Sequence, residues 1–314
     1  MSTTIEKKIS IVIPLFNEAE GIKNLVAELD RIQQNYIEFD LEFVFVNDGS
    51  TDNTLEILRE ERYELNSKII SFSKNFGSHA ALRAGILHAS YNFVTFMYAD
   101  LQDPPELIIQ MYNEVIANNA DIVWATRRAD KVGFFEGVFS RCYARLMRNF
   151  AIKDFPKRGF DIVFFNKKVK NVLNNNIIAN SSIFLHILSL GFKQCSVSYE
   201  KKERKFGKSK WTLSKKIKLL IDSFVSFSYA PLKMVSIIGG VMFAFGSFFS
   251  IYLILRKFIY DDLVSGWPTI ISILLIGFGV TNISLGIVAE YLWRTFDAAR
   301  KSEVFIIDEI IVNK

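Results

Sequence analysis

Two uncharged runs near the end of the chain restrict its fold more than any other feature. Met234 to Leu255 is 22 residues, and Trp267 to Ala289 is 23, without one Asp, Glu, Lys or Arg. As a helix, 22 residues extend about 33 Å, close to the roughly 30 Å hydrocarbon core of a bilayer. A core helix of a soluble protein keeps a polar face, and neither run has one. Two transmembrane helices are therefore expected, with Gly239-Gly240 and the Gly277, Gly279 pair allowing close approach. Lys215, Lys216, Lys218 and Lys233 precede the first run, and Arg294, Arg300 and Lys301 follow the second. The loop between them balances Arg256 and Lys257 against Asp261 and Asp262. That asymmetry predicts that both ends are cytoplasmic. The apolar run Ile9 to Phe16 is too short for a signal peptide and meets Asn17-Glu18 at once, so it reads as a buried strand.

The first two hundred residues alternate short β-rich runs with helical patterns, as in a mostly parallel sheet covered by helices. Strands are expected at Ile9 to Leu15, Leu41 to Val46, Lys68 to Phe72, Phe93 to Met97 and Asp121 to Trp124. Asn17 to Gln33 carries Ile22, Leu25, Val26 and Leu29 at helical spacing. Ser50-Thr51-Asp52 offers cap chemistry for a helix through Leu65, and Asp103 ahead of Pro104-Pro105 is expected to cap another. At 314 residues the chain suffices for one large α/β domain with an appendage. Its net charge of +5 suits either a phosphate-bearing ligand or an anionic membrane. Cys142 and Cys195 form no disulfide framework or metal spacing, and the scattered His79, His88 and His186 read as structural. The 29 Phe are attributed to core and membrane rather than base stacking, so no nucleic-acid partner is expected.

Ligands of such sheets bind beyond the carboxyl ends of the strands. There the chain places Asn17-Glu18, Asn47-Asp48-Gly49-Ser50, Ser73-Lys74-Asn75, Asp100-Leu101-Gln102-Asp103 and Arg127-Arg128, so carboxylates and cations are expected on one rim. Asp100 and Gln102 offer oxygen ligands suited to Mg²⁺ or Mn²⁺ facing a diphosphate.

Taken in order, Ile11-Val-Ile-Pro-Leu-Phe-Asn-Glu18, Val46-Asn-Asp-Gly-Ser-Thr-Asp52, Lys74-Asn-Phe-Gly77, Ala99-Asp-Leu-Gln-Asp-Pro-Pro-Glu106, Arg204-Lys-Phe-Gly-Lys-Ser-Lys-Trp211 and Ala289-Glu-Tyr-Leu292 resemble the polyprenyl-phosphate glycosyltransferases. These are family 2 enzymes of GT-A fold, such as bactoprenol glucosyltransferases and dolichol-phosphate mannose synthases, and the resemblance covers nearly the whole chain. It implies a Rossmann-like α/β GT-A domain over residues 1–210, an amphipathic interfacial helix over 211–230, two transmembrane helices within 231–294 and a cytoplasmic tail over 295–314. It also implies a multi-pass protein of the bacterial inner membrane that transfers one hexose from a nucleotide-diphosphate sugar to polyprenyl phosphate, with inversion at the anomeric carbon. By the same resemblance Pro14, Asn17, Glu18 and Asp48 fall on nucleoside-binding positions with Lys74 nearby, and Asp100 and Gln102 fall on the metal and diphosphate positions. Asp161 falls on an acidic position near the acceptor, and Arg204, Lys208 and Lys210 fall in a loop closing over the diphosphate.

Two basic amphipathic segments join this site to the membrane. Gly137 to Ile152 sets Arg141, Arg145 and Arg148 among Phe139, Tyr143, Leu146, Met147 and Phe150, and Lys215 to Tyr229 is similar. Arg127, Arg141 and Arg145 are candidates for gripping the lipid phosphate. One departure stands out. Close relatives carry Asp-Ala-Asp-Leu-Gln, whereas this chain has Tyr98-Ala99-Asp100-Leu101-Gln102, and Asn47 replaces an Asp in the second motif. The preferred reading is an active transferase with a thinner metal shell; the alternative is a catalytically weak homologue serving as membrane partner of another glycan enzyme. A processive synthase fits least, because the chain has no Gln-x-x-Arg-Trp string. Sugar, nucleotide and oligomeric state stay open.

Overall fold

The structure is a computed structural model describing residues 7–61, 65–127, 144–145, 147–149, 152, 155, 160–176, 182–200, 230–260, 266–300 and 303–313. It divides into two units: residues 1–223 with 303–314, and residues 224–302. The first is built on an eight-stranded sheet: β1 (Lys8–Leu15), β2 (Asp40–Asn47), β3 (Ser67–Phe72), β4 (Phe93–Phe96), β5 (Ile122–Arg127), β6 (Phe160–Phe165), β7 (Gln194–Tyr199) and β8 (Ile307–Asn313). Its order is β7-β5-β6-β4-β1-β2-β3-β8. Pairs β1 with β2, β1 with β4, β2 with β3 and β5 with β7 are parallel, while β6 and β8 run against their neighbours. All five expected strands are present. Their continuous Val, Ile and Phe runs match a sheet buried on both faces, with Ile11, Val12, Phe43, Val44 and Phe45 fully buried.

Among the described residues this sheet is accompanied by α1 (Ile22–Asn35), α2 (Thr54–Glu61), α3 (Ser78–His88), α4 (Glu106–Asn118), α5 (Lys167–Asn175) and α6 (Ile183–Ser189). α1 buries the expected Ile22, Leu25, Val26 and Leu29, but starts five residues late, because Asn17 sits in the left-handed region at φ 52°. Asp52 accepts the backbone N–H of Thr54 at the head of α2, 3.1 Å away, as its cap chemistry predicts. The expectation for Asp103 needs correction. Pro105 holds the N-cap of α4, and the buried Asp103 accepts a hydrogen bond from Tyr199 Oη of β7 at 2.7 Å.

The C-terminal tail also departs from expectation. Ile307–Asn313 alternates half-buried and exposed positions, a period of two that suits an edge strand, and it pairs antiparallel with β3. Asn313 Nδ2 donates to Leu65 O, and Arg59 is ion-paired with Glu309.

The second unit holds two long helices, α7 (Ala230–Tyr260) and α8 (Trp267–Arg300). Among the described residues one helix is long and apolar enough to cross a membrane: α8 contains Ile276–Trp293, 18 residues of mean hydropathy 1.2, none buried. α7 contributes a shorter apolar stretch, Lys233–Gly246. A Cβ on Gly239, Gly240, Gly277 or Gly279 would meet nothing within 4 Å among the described residues. The expected interfacial helix over 211–230 lies outside the described residues except Ala230, which opens α7. Of the expected helix over 137–152, residues 144–145 and 147–149 are helical.

Candidate active site

Strand direction assembles the site. β1 to β5 and β7 all run the same way, so their carboxyl ends share one rim, and the antiparallel β6 begins at that rim. From β1 the chain moves through β2 to β3, then returns to place β4 on the other side of β1. The β1/β4 boundary is thus a topological switch point, where open α/β sheets form their ligand crevice. The pairing of β1 with β4 ends at Val12 and Phe96, with Met97 N–H still reaching Val12 O at 3.0 Å. Pro14 lies beyond that last pair, where β4 asks no N–H of it. Asn17 and Glu18 follow on one side of the boundary, and Tyr98 to Gln102 on the other.

The loops after β1 and β2 are bound to each other. Asn17 N–H donates to Ser50 Oγ at 3.0 Å, Glu18 N–H to Thr54 Oγ1 at 2.9 Å and Ala19 N–H to Asp52 Oδ2 at 3.3 Å. In return Asn17 Oδ1 accepts Thr51 N–H at 2.8 Å. Asn47 explains its own amide: Nδ2 donates to Ser71 Oγ and Oδ1 accepts Ser50 N–H, a donor and acceptor pair that an ionised Asp lacks.

Asp48 is turned inward. Its carboxylate, 3% exposed as a residue, accepts N–H of Phe76 at 2.7 Å, N–H of Gly77 at 3.0 and 3.2 Å, and Nδ2 of Asn75 at 3.0 Å. Burial raises its pKa to about 6, against the pull of the two backbone amides. Gly49 beside it, at φ +62°, allows this contact, because a Cβ there would lie 2.3 Å from the carbonyl carbon of Lys74. Lys74 itself is exposed, with Nζ 5.2 Å from the centre of the Phe76 ring.

Across the boundary Leu101 adopts φ 51°, and Asp100 Oδ1 accepts Gln102 N–H at 3.3 Å. The tight turn brings one carboxylate and one carboxamide together, both half-buried. No group of three or more Asp, Glu, His or Cys able to hold a metal occurs among the described residues. This sparse oxygen set fits an ion that takes its remaining ligands from a diphosphate and water.

Asp161 and Arg127 lie at the same rim by backbone position. Ala125 pairs with Ile162 and Thr126 with Phe160, so Asp161 is the extra residue of a β-bulge at the start of β6. Arg127, the last residue of β5, pairs with Tyr199. Arg145 is exposed on the helical turn, and Arg148 Nε donates to Ala144 O. Arg141, Arg204, Lys208 and Lys210 lie outside the described residues. Asn75, Phe76 and Gly77, which hold Asp48, were legible only as part of a motif. His79 is half-buried with both ring nitrogens shielded and meets Phe184 edge-on, while Arg83 and His186 are buried; both imidazoles have pKa values lowered to about 4, by burial first and the Arg83 charge second.

Residues 10–179 match glycosyl transferase family 2. The chain is 34% identical over 306 residues to "Uncharacterized glycosyltransferase YkcC" of Bacillus subtilis (strain 168), covering 96% of this chain and 93% of that protein. It is 28% identical over 321 residues to "Undecaprenyl-phosphate 4-deoxy-4-formamido-L-arabinose transferase" of Aeromonas hydrophila, covering 99% and 96%. The crystal structure of glucosyl-3-phosphoglycerate synthase from Mycobacterium tuberculosis with Mn²⁺, UDP and phosphoglyceric acid superposes at TM-score 0.49 and 15% identity, over 68% of this chain and 75% of that one.

Proposed function

The chain belongs to glycosyl transferase family 2 and is a glycosyltransferase, and from that premise we propose that it transfers one hexose from a nucleotide-diphosphate sugar to polyprenyl phosphate at the cytoplasmic membrane face, with inversion. The observation that carries this reading is the likeness to an undecaprenyl-phosphate transferase over 99% of the chain, the long apolar helices included. An enzyme whose sheet rim and bilayer-length helix share one chain suits a donor from water and an acceptor from lipid. α7 and α8 both span the bilayer in this reading, and their basic flanks keep both ends cytoplasmic.

In the same reading the switch point divides the labour. Pro14, Asn17 and Glu18 meet the nucleoside with Lys74 nearby, and Asp48 serves by holding the turn that carries Lys74. Asp100 and Gln102 would hold Mg²⁺ or Mn²⁺, which when bound supplies neutralisation of the diphosphate charge. A phosphate monoester has its second pKa near 6, so the acceptor oxygen is already anionic at neutral pH and needs little general-base help. The larger task is bringing two anions together. Arg204, Lys208 and Lys210 are assigned to the leaving diphosphate, Arg127, Arg141 and Arg145 to the acceptor phosphate, and Asp161 to positioning the acceptor.

The test is transfer by the detergent-purified chain from radiolabelled nucleotide sugars to undecaprenyl phosphate. Label in a polyprenyl-phosphate hexose of inverted configuration is expected. Label reaching only a soluble acceptor would refute the lipid acceptor, and a reporter placing Asp261 in the cytoplasm would refute the two-span topology.

A further inference from the structure

The segment that follows α8 returns to the donor side of the site. Phe305 stands five positions after Arg300, the last residue of α8. Its ring stacks on Phe72 with centroids 5.2 Å apart and planes 10° apart. Phe72, 3% exposed, meets Phe76 edge-on at 5.6 Å, and Lys74 Nζ lies over the far end of that row, on the Phe76 ring. The backbone is joined too, since Ser73 N–H donates to Ile306 O at 3.2 Å just before β8 takes up its register on β3. The amides of Phe76 and Gly77 are the ones that bind Asp48. Residues 73–77 are therefore held from both sides, by Asp48 within the sheet rim and by residues 305–306 at its edge.

We propose that Phe305 is a positioning residue for the nucleotide-sugar side of the site: through Phe72 and Phe76 it fixes the 73–77 turn, so the end of the chain beyond the apolar helices completes the donor pocket. The enzymatic half of this inference rests on the proposed transferase activity; the structural half does not. An aromatic pair contributes enough beyond simple burial that removing it should weaken donor binding roughly threefold to tenfold. The stack of Phe305 on Phe72 lies at the end of β3, next to the donor-side turn.

The test uses the full chain with Phe305→Ala and Phe305→Tyr, the latter keeping a ring to stack. In Phe305→Ala the donor KM should rise about threefold to tenfold, with kcat and the polyprenyl-phosphate KM within about twofold of wild type, and Phe305→Tyr should restore the donor KM. Amide hydrogen exchange at Phe76 and Gly77 should accelerate in Phe305→Ala while Ile69 and Ile311 stay protected, which separates a loosened turn from a lost strand. Unchanged exchange at residues 73–77 overturns the proposal whatever the enzyme does. Accelerated exchange with an unchanged donor KM, or an equal loss toward both substrates, overturns the donor-positioning role. Accelerated exchange in a chain that transfers no sugar to polyprenyl phosphate, even as wild type, rejects the donor-positioning role along with the function it rests on and leaves Phe305 as a brace of the turn alone.

Discussion

Asp48 Oδ1 accepts the backbone N–H of Phe76 at 2.7 Å, which ties the end of β2 to the turn after β3. Both oxygens of that carboxylate face donors of the same turn, the Gly77 backbone amide and the Asn75 side-chain amide among them. This changes the meaning of an acid at a strand end. Asp48 shapes the rim, and the side chains left to meet a ligand are those the turn presents.

Asp48→Asn should therefore destabilise the chain. The carboxamide keeps one acceptor but aims an NH₂ group at Asn75 Nδ2 or Gly77 N, both donors, at a cost of about 1–3 kcal/mol. The difference from wild type should also depend on pH. Asp48 has its folded pKa raised from 3.8 to about 6, so its contribution is fully present below the unfolded value and is lost as pH rises through about 6. Denaturant unfolding of both proteins from pH 4 to pH 7 measures this. A variant as stable as wild type at every pH would show that the inward bonds contribute nothing.

The buried imidazoles have the opposite sign. His79 and His186 have pKa values lowered from 6.5 to about 4, so their contribution is present above 6.5 and lost as pH falls toward 4. Glu42 and Asp52, whose carboxyls are held, against burial, below their ordinary value by hydrogen bonds, share this sign, so acid is the weaker side for this unit despite Asp48. Among the described residues neither ring nitrogen of His79 has a hydrogen-bond partner, and the ring already meets Phe184 edge-on. His79→Phe should thus leave stability at pH 7 unchanged or raise it by up to about 1 kcal/mol, and should move the acid unfolding midpoint lower. Acid titration followed by near-ultraviolet circular dichroism reads both effects, and a loss above about 1 kcal/mol at pH 7 would mean that the imidazole serves a partner.

Much of this architecture was legible in the sequence. Ile9 to Leu15 and Leu41 to Val46 are apolar apart from Ser10, Pro14 and Glu42, and only a strand covered on both faces uses such runs well. The rim followed, because ligand residues come directly after strands. β8 was not legible. Residues 295–314 read only as a cytoplasmic tail, and the partner strand that gives the alternation of 307–313 a purpose is β3, more than two hundred positions earlier. The direction of Asp48 was hidden for the same reason: its residue type suits a ligand or a turn equally, and the deciding amides belong to Phe76 and Gly77. Asp103 looked like a cap through its neighbours in the chain, yet it accepts its hydrogen bond from Tyr199 Oη. Local patterns reveal elements, whereas these roles depend on pairings that the chain makes at long range.

Arg204→Ala and Lys208→Ala test the assignment of the 204–210 segment. Each should lower turnover at least about tenfold, or roughly 1.4 kcal/mol in the barrier, without changing membrane association. Normal specific activity with loss of membrane binding would assign these cations to lipid anchoring instead.

The residue pair on the far side of the switch point decides the role of the metal. Asp100 is the one carboxylate in the Tyr98 to Gln102 turn, and Gln102 adds a neutral oxygen. If these two and the donor diphosphate suffice to hold the ion, Asp100→Ala should abolish transfer, because the turn then has no anionic ligand. Tyr98→Asp should chiefly lower the Mg²⁺ or Mn²⁺ concentration needed, since a second nearby carboxylate adds attraction for the cation while the phenol has no charge to give at neutral pH. Tyr98 is half-buried at the boundary that the nucleoside would approach; a packing role for its ring would appear as a raised donor KM in the same variant. Metal titrations of wild type, Tyr98→Asp and Asp100→Ala separate these outcomes. Wild type inactive with every sugar, with activity appearing only in Tyr98→Asp, would identify the tyrosine as the lesion of a degenerate transferase, and full activity of Asp100→Ala would remove the ion from this turn.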